Sequence, residues 1–331
     1  MKFFIYALGG GWGHLTRAAA LARLARPAEM RILTNSPYAG HVRDAFPDLN
    51  LVVLDCDATA QNIRSRVREE IESADPDCLI VDTFPRGLGG ELIDVLRTTR
   101  GFKALVQRAL NPEYTAAANL TAFIEQTYDL VLIPGDAGSV AEGPQRRVTE
   151  PWMVRSSHEL PSAADARSAI GLHAAENCIL ICAAGNRDEL AWYGAVAELI
   201  RDLETGIAVR VIAPACPPRC PPEFRISYWP AIDLYAGAGV LVGGGGYNTI
   251  HEAEVSGAPL ICRPWDRKYD RQLERASAAA SHGNVVIVRE PEEAACDAVR
   301  LFRAAAGERP APSYSNGAEE ALRCLCAAMR R

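Results

Sequence analysis

Short apolar runs punctuate the chain, separated by stretches in which apolar residues recur every three or four positions. Phe3–Leu8, Met30–Thr34, Leu51–Leu54, Cys78–Val81, Lys103–Val106 and Leu130–Ile133 read as strands. Intervening segments such as Thr16–Leu24 and Glu91–Thr98 have helical spacing. Strands alternating with helices pair in parallel through right-handed crossovers, which predicts an α/β fold with an open, doubly wound sheet. A second series follows at Cys178–Cys182, Ala208–Ile212, Val240–Val242, Pro259–Cys262 and Val285–Val288. The stretch "VTEPWMVRSSHELPSAADARSAIGL" lies before it, mixed in Pro, Ser and charge without a long apolar period, and reads as the connection. Two Rossmann-like domains are expected, residues 1–152 and 153–331, with the last helix free to pack back on the first. Ligands of such sheets bind beyond the carboxyl ends of the strands, here in a cleft expected between the domains.

Composition narrows the classes. The 331 residues are 49% apolar and 23% charged, with a net charge of -6 that argues against an overall grip on nucleic acid. The apolar part of "MKFFIYALGGG" is too short for a membrane span or a signal peptide, so a cytoplasmic chain is expected, with peripheral membrane contact left open. Ten cysteines in such a chain are expected reduced. Neither Cys216/Cys220 nor Cys324/Cys326 has doubled C-x-x-C spacing, and no histidine lies close enough to complete a zinc set, so no metal site is expected.

Two post-strand loops stand out. In "ALGGGWGHLTRAAALARL" the dinucleotide fingerprint G-x-G-x-x-G fails, because His14 or Thr16 takes the third place. The second strand also ends at "ILTNS", without the acidic residue that would hold a ribose. A P-loop fails for want of G-K-[ST]. The second loop is "VLVGGGGYNTIHEAEVSGAPLICRP", where a buried strand enters four glycines and then a helix opening near Asn248 and Thr249. Backbone amides at that helix start can hold a diphosphate. Glu252 follows within the first turns, where a carboxylate can accept two hydroxyl hydrogen bonds from a ribose.

At these residues the chain resembles GT-B glycosyltransferases, in particular the peptidoglycan lipid GlcNAc transferase family. "GGGGYNTIHEAEVSGAPLICRPWDRKYDRQLERA" is similar to their donor-nucleotide motif, and "GWGHLTRAAALA" to their G-x-G-H-x-x-R-x-x-x-L-A turn. The resemblance covers nearly the whole chain in the order that fold requires. It implies that Gly245, Gly246, Asn248 and Thr249 face the diphosphate, Glu252 the ribose, and Asp270 with Gln272 the sugar. "YWPAIDLYAGAGVLV" is similar to the segment beside the base, with Tyr228, Trp229 and Ile232 as candidates. One departure is Gly244, where plant-type members carry a phosphate-binding His; this shifts the phosphate contact toward backbone amides.

Sugar transfer needs a stabilised diphosphate leaving group, an oriented sugar and a base for the acceptor hydroxyl. A helix N-terminus with bare amides supplies the first without a metal, so no divalent ion or other cofactor is expected beyond the nucleotide sugar. The resemblance implies that His14 is the base, with Asp82 of "CLIVDTFPRG" orienting it; alternatively Asp82 caps the next turn, and His14 satisfies a carbonyl or contacts phosphate. Arg17 contacts donor or acceptor anions or is solvated, and Trp12 stacks on a substrate ring or covers the turn. Gly13 joins the donor set, as do Gly185 and Asn186 of "AAGNRDE" with Arg187 beside them. Gln107 and Arg108 of "VQRALNP" are acceptor candidates, with apolar residues of "FPRGLGG" and "NPEYTAAANLTAFIEQ" nearby in sequence. His251 is expected at the surface, on another helix face from Glu252.

Three functions follow: an inverting, metal-independent glycosyltransferase using a UDP-sugar and a small-molecule, lipid-linked or other hydroxyl acceptor; a UDP-sugar hydrolase, as in the pseudaminic-acid pathway enzyme with a similar turn; and a nucleotide-sugar-binding protein without catalysis. The extra glycines of "GGGWGH" and the form of "GGGGYNTIHE" favour the first.

Overall fold

A computed structural model describes residues 1–25, 28–108, 112–117, 119–135, 143–305 and 309–330. The chain divides into two compact units, Met1–Val154 with Ser315–Arg331, and Arg155–Tyr314.

The first unit alternates β1 (Lys2–Ala7), α1 (Trp12–Leu24), β2 (Glu29–Thr34), α2 (Ala39–Ala45), β3 (Asn50–Val53), α3 (Ala60–Ala74) and β4 (Cys78–Asp82). It continues through α4 (Ile93–Thr98), β5 (Phe102–Val106), α5 (Pro112–Ala117), α6 (Leu120–Thr127), β6 (Leu130–Pro134) and β7 (Arg146–Thr149). Among the described residues its sheet has seven strands in the order β3-β2-β1-β4-β5-β6-β7, and all are parallel. The central strands are buried along their length because helices cover both faces, which is why they read as unbroken apolar runs.

The second unit contains α7 (Ala163–Ala169), β8 (Cys178–Cys182), α8 (Arg187–Leu203), β9 (Ala208–Ile212), β10 (Arg225–Ile226) and α9 (Ile232–Tyr235). Then come β11 (Ala238–Gly244), α10 (Tyr247–Ser256), β12 (Leu260–Arg263), α11 (Gln272–Ala280), β13 (Val285–Ile287) and α12 (Pro291–Ala304). Its parallel strands are ordered β10-β9-β8-β11-β12-β13. The last helix, α13 (Gly317–Ala328), lies against α1, β6 and β7 of the first unit. Asn316 secures it: its Oδ1 accepts from Met153 N at 3.1 Å, and its Nδ2 donates to Met153 O at 2.8 Å.

The stretch read as a connection holds structure of its own. Its start completes β7, and α7 sits within it, capped by Ser162 Oγ accepting from Asp165 N at 3.2 Å. Four strand residues and seven helical ones are too few to impose a visible period, so the pattern missed both. In each sheet the winding reverses once, between β1 and β4 and between β8 and β11. Helices leave on opposite sides at such a point, opening a crevice at the strand ends where ligands bind. His14 and Asp82 lie just beyond β1 and at the end of β4; Asn186 and Gly245–Gly246 lie just beyond β8 and β11.

Candidate functional site

The first unit builds its site from the turn after β1. Gly10 adopts φ +69°, the left-handed region that favours glycine, and Asn35 Oδ1 accepts from the amides of Gly9 and Gly10 at 2.9 and 3.0 Å. Those two amides are therefore engaged within the protein. Gly9 has a steric reason as well: a Cβ there would stand 2.4 Å from His14 Nε2. The absent side chain leaves room for the imidazole, which also stacks on Phe84 with centroids 5.5 Å apart.

His14 Nδ1 lies 2.6 Å from Asp82 Oδ2. Arg17 grips the same carboxylate with a fork, Nε to Oδ1 at 3.0 Å and Nη2 to Oδ2 at 2.7 Å. Thr83 Oγ1 donates to Oδ2 at 3.2 Å and accepts from Arg17 Nη2 at 3.1 Å. Burial would raise the Asp82 carboxyl, but Arg17 and His14 outweigh it and hold the group well below the usual carboxylate range. Burial lowers the His14 imidazole below its ordinary value; Asp82 opposes that shift, while the charges of Arg17 and Arg108 add to it. A neutral ring beside an ionised acceptor keeps its proton on Nδ1, so Nε2 carries the lone pair. This arrangement can accept a proton.

Thr83 itself has φ +70°, an outlier for a β-branched residue that costs about 1–3 kcal/mol. Its amide donates to Val106 O at 2.9 Å, fixing the turn that carries Asp82. Gln107 and Arg108 follow at the end of the neighbouring β5.

In the second unit β11 runs into Gly245 and the N-cap Gly246, and α10 begins without a side-chain cap or an acidic residue in its first turn. Crowding excludes a side chain at Gly245, whose Cβ would lie 3.0 Å from Gln272 O and 3.2 Å from Pro264 Cα. No such reason exists at Gly246: its φ is -67°, and a Cβ would meet nothing within 4 Å. Uncapped amides, a positive helix end and open space together suit an oxyanion. Asn248, at the second helical position, has a buried Oδ1 with no partner among the described residues.

Glu252 lies deeper and is buried. Burial pushes its carboxyl up to about 8, against a hydrogen bond from Tyr235 and together with the charge of Asp233. The free protein therefore holds mostly the neutral acid at pH 7, where the sequence led us to expect a carboxylate. Because the folded value exceeds the ordinary 4.5, folding retains a proton that the unfolded chain releases. That contribution is full below about pH 4.5 and is lost as pH rises through 8. Glu252→Gln should remove the dependence, so its stability should gain on the wild type by on the order of a few kcal/mol as pH rises from 5 to 9, seen as a rising relative melting temperature. Parallel melting curves across that range would contradict this account of Glu252.

No protein-family model matches the chain, and no curated protein matches it in sequence. Solved structures do. The chain is similar to UDP-GlcNAc 2-epimerase from Neisseria meningitidis bound to UDP-GlcNAc, at 12% identity over 99% of this chain and 100% of that one, with TM-score 0.68. It is similar to the glycosyltransferase SsfS6 of Streptomyces sp. SF2575 complexed with thymidine diphosphate, at 16% identity over 99% of both chains, with TM-score 0.63. It is also similar to the glycotransferase of kitacinnamycin, at 13% identity over 99% of both chains, with TM-score 0.59. The chain has the GT-B fold.

Within this GT-B chain, the remaining sequence candidates take the following places. Arg17 is 1% exposed, buried on Asp82 rather than solvated. Trp12 opens α1 and stacks flat on Tyr38 with centroids 4.2 Å apart, and Gly13 follows it in the first turn. Asn186 caps α8, its Oδ1 accepting from Glu189 N at 3.0 Å. Trp229 is half-buried and Ile232 buried at the start of α9, while Thr249 turns its methyl toward Gly243. Asp270 is held by Arg275 Nη2 at 2.7 Å, and Gln272 Oε1 accepts from Trp265 N at 2.9 Å. The surface position expected for His251 is corrected: it is buried and lies 2.9 Å from Glu254, because α10 packs against both α9 and α11 and hides more than one face. Residues 109–111 of "VQRALNP" and residue 118 of the following segment lie outside the described residues.

Sequence reasoning missed Asn35, Thr83, Tyr235 and Arg275. Arg275 ties the two parts of the donor motif together, reaching Gly245 O at 2.9 Å while holding Asp270. Asn35 follows β2, and a doubly wound order sets β2 beside β1, so its position after that strand was the available signal. Nothing in the sequence marks Thr83. Among the described residues the one convergent His/Cys/Asp/Glu group is the exposed trio Asp55, Cys56 and Asp57, away from these features in sequence. No described helix is long and apolar enough to cross a membrane.

Proposed function

We propose that this GT-B chain is a glycosyltransferase that moves a sugar from a nucleotide diphosphate, a UDP-sugar, to an acceptor hydroxyl with inversion and without a metal ion. The observation that carries the reading is His14, its Nδ1 committed to Asp82 at 2.6 Å and its Nε2 left as acceptor. A module that only bound nucleotide sugars would have no use for a base held this way.

The second unit takes the donor: the α10 amides from Gly246 to Thr249 hold the diphosphate, Glu252 the ribose, and Asp270 with Gln272 the sugar, with Trp229 and Ile232 toward the base. The first unit supplies proton removal, with Arg108 and Gln107 on the acceptor side. His14 Nε2 takes the acceptor proton as the acceptor oxygen forms its bond to the anomeric carbon. The bond from that carbon to the diphosphate breaks, and the leaving oxygen keeps the electron pair. One displacement inverts the anomeric centre, and the helix end stabilises the charge that develops on the diphosphate.

The test is turnover of UDP-, dTDP- and GDP-sugars with and without candidate hydroxyl acceptors, in the presence of a chelator. Acceptor-dependent release of UDP despite the chelator is the expected result. Free sugar released without any acceptor would replace the transferase with a hydrolase, and binding without turnover would leave a carrier.

A further inference from the structure

Arg263 ends β12 and pairs in register with Gly244, the last residue of β11. It therefore stands about one strand spacing, ~4.8 Å, from the strand that feeds the open turn at Gly246. Its guanidinium carbon is 4.2 Å from the ring centroid of Trp265 and 5.3 Å from that of Trp192, and the two rings meet at 89°. Ring faces hold a cation without using its N–H donors. Trp265 is itself fixed, its indole Nε1 donating to Tyr193 Oη at 3.2 Å and its amide to Gln272 Oε1 at 2.9 Å.

Among the described residues this held cation has no anion. Arg263 Nε is buried without a hydrogen-bond partner among the described residues, and no described carboxylate pairs with the guanidinium. Glu189 is occupied by Arg267, Nη2 to Oε2 at 2.7 Å, and Asp270 by Arg275 at 2.7 Å. A buried donor left unmade is destabilising, and more so when charged. An aliphatic residue would cover the same indoles without that cost. A guanidinium fork also matches a planar or tetrahedral oxyanion in bidentate fashion, at the end of a parallel sheet where ligands bind.

We propose that Arg263 is an anion anchor of the donor site, engaging an oxyanion of the nucleotide sugar beyond its first phosphate. This inference rests on the donor reading given above. The oxyanion has two sources, the distal phosphate of the diphosphate or a carboxylate on an acidic sugar, and one experiment separates them.

Equilibrium binding of UMP, UDP, UDP-glucose and UDP-glucuronate is compared for the wild type, Arg263→Met and Arg263→Lys. Met keeps the aliphatic contact with both indoles, and melting curves confirm that each variant is folded. Arg263→Met should lose about 10- to 100-fold in affinity, the scale of a charge-assisted contact, with Arg263→Lys in between. A loss shared by UDP and both sugars but spared by UMP assigns the phosphate. A loss confined to UDP-glucuronate assigns the carboxylate. Unchanged affinities for all four, or an equal loss that includes UMP, overturn the inference and leave the donor reading standing. A wild type that binds none of the four overturns the donor reading and this inference with it.

Discussion

Asp82→Asn is expected to lower turnover by about 10²- to 10⁴-fold, the range for loss of a correctly held general base. The cause is proton placement. Asp82 presents two oxygens, both claimed by Arg17 and one shared with His14 at 2.6 Å. An amide has one oxygen, and the Arg17 fork, all donors, takes it. The amide NH₂ then faces His14 Nδ1, which must become an acceptor, and the ring proton moves to Nε2. The base is lost while the shape is kept.

The same substitution should destabilise the first unit by about 3–5 kcal/mol, because Arg17 is left as a buried charge without its counter-ion. Arg17 and Asp82 are 1% and 2% exposed, so solvent does little to screen this term. Asp82 is held below its ordinary value of 3.8, so its contribution is present above that pH and is lost as pH falls further. The stability gap between variant and wild type should therefore be constant at neutral pH and narrow only in acid. Kinetics and melting curves on one preparation check both effects. A variant as active and as stable as the wild type would remove Asp82 from the mechanism and from the core.

His14→Ala should reduce turnover by at least ~10²-fold, the usual scale of general-base catalysis, while UDP affinity is retained. Retention is expected because His14 belongs to the first unit, whereas the uncapped α10 amides belong to the second. The pH profile adds a signature. Burial places the imidazole below its ordinary 6.5, so wild-type activity should persist below that pH and fall only when Nε2 takes a proton. The residual rate of the variant should lack that acidic limb. Unchanged turnover, or the same limb without the histidine, would show that the proton goes elsewhere.

Helices cover both faces of β1, β4, β6 and β8, so these strands had to be apolar between their ends, and the sequence displayed them almost residue for residue. The edge strands β7 and β10 were invisible: one is half exposed and the other is two residues long. The turn that carries Gly246, Asn248 and Glu252 was legible because four glycines end an apolar run and a helical period follows at once. The acid form of Glu252 was not, since nothing in "NTIHE" says that Tyr235 and the surrounding helices will seal it from water.

The sequence by itself determined the two parallel, doubly wound sheets and the two glycine turns that follow their strands, because these depend on local period and on residues that only a turn can use. Tertiary structure alone decided the electrostatics: that Arg17 is buried on Asp82, that Asn35 occupies the amides of the first turn, and that Arg263 packs on two indoles with no anion among the described residues. Charge state, proton position and partner choice depend on which distant side chains exclude water from a group, and that distance lies in space rather than along the chain.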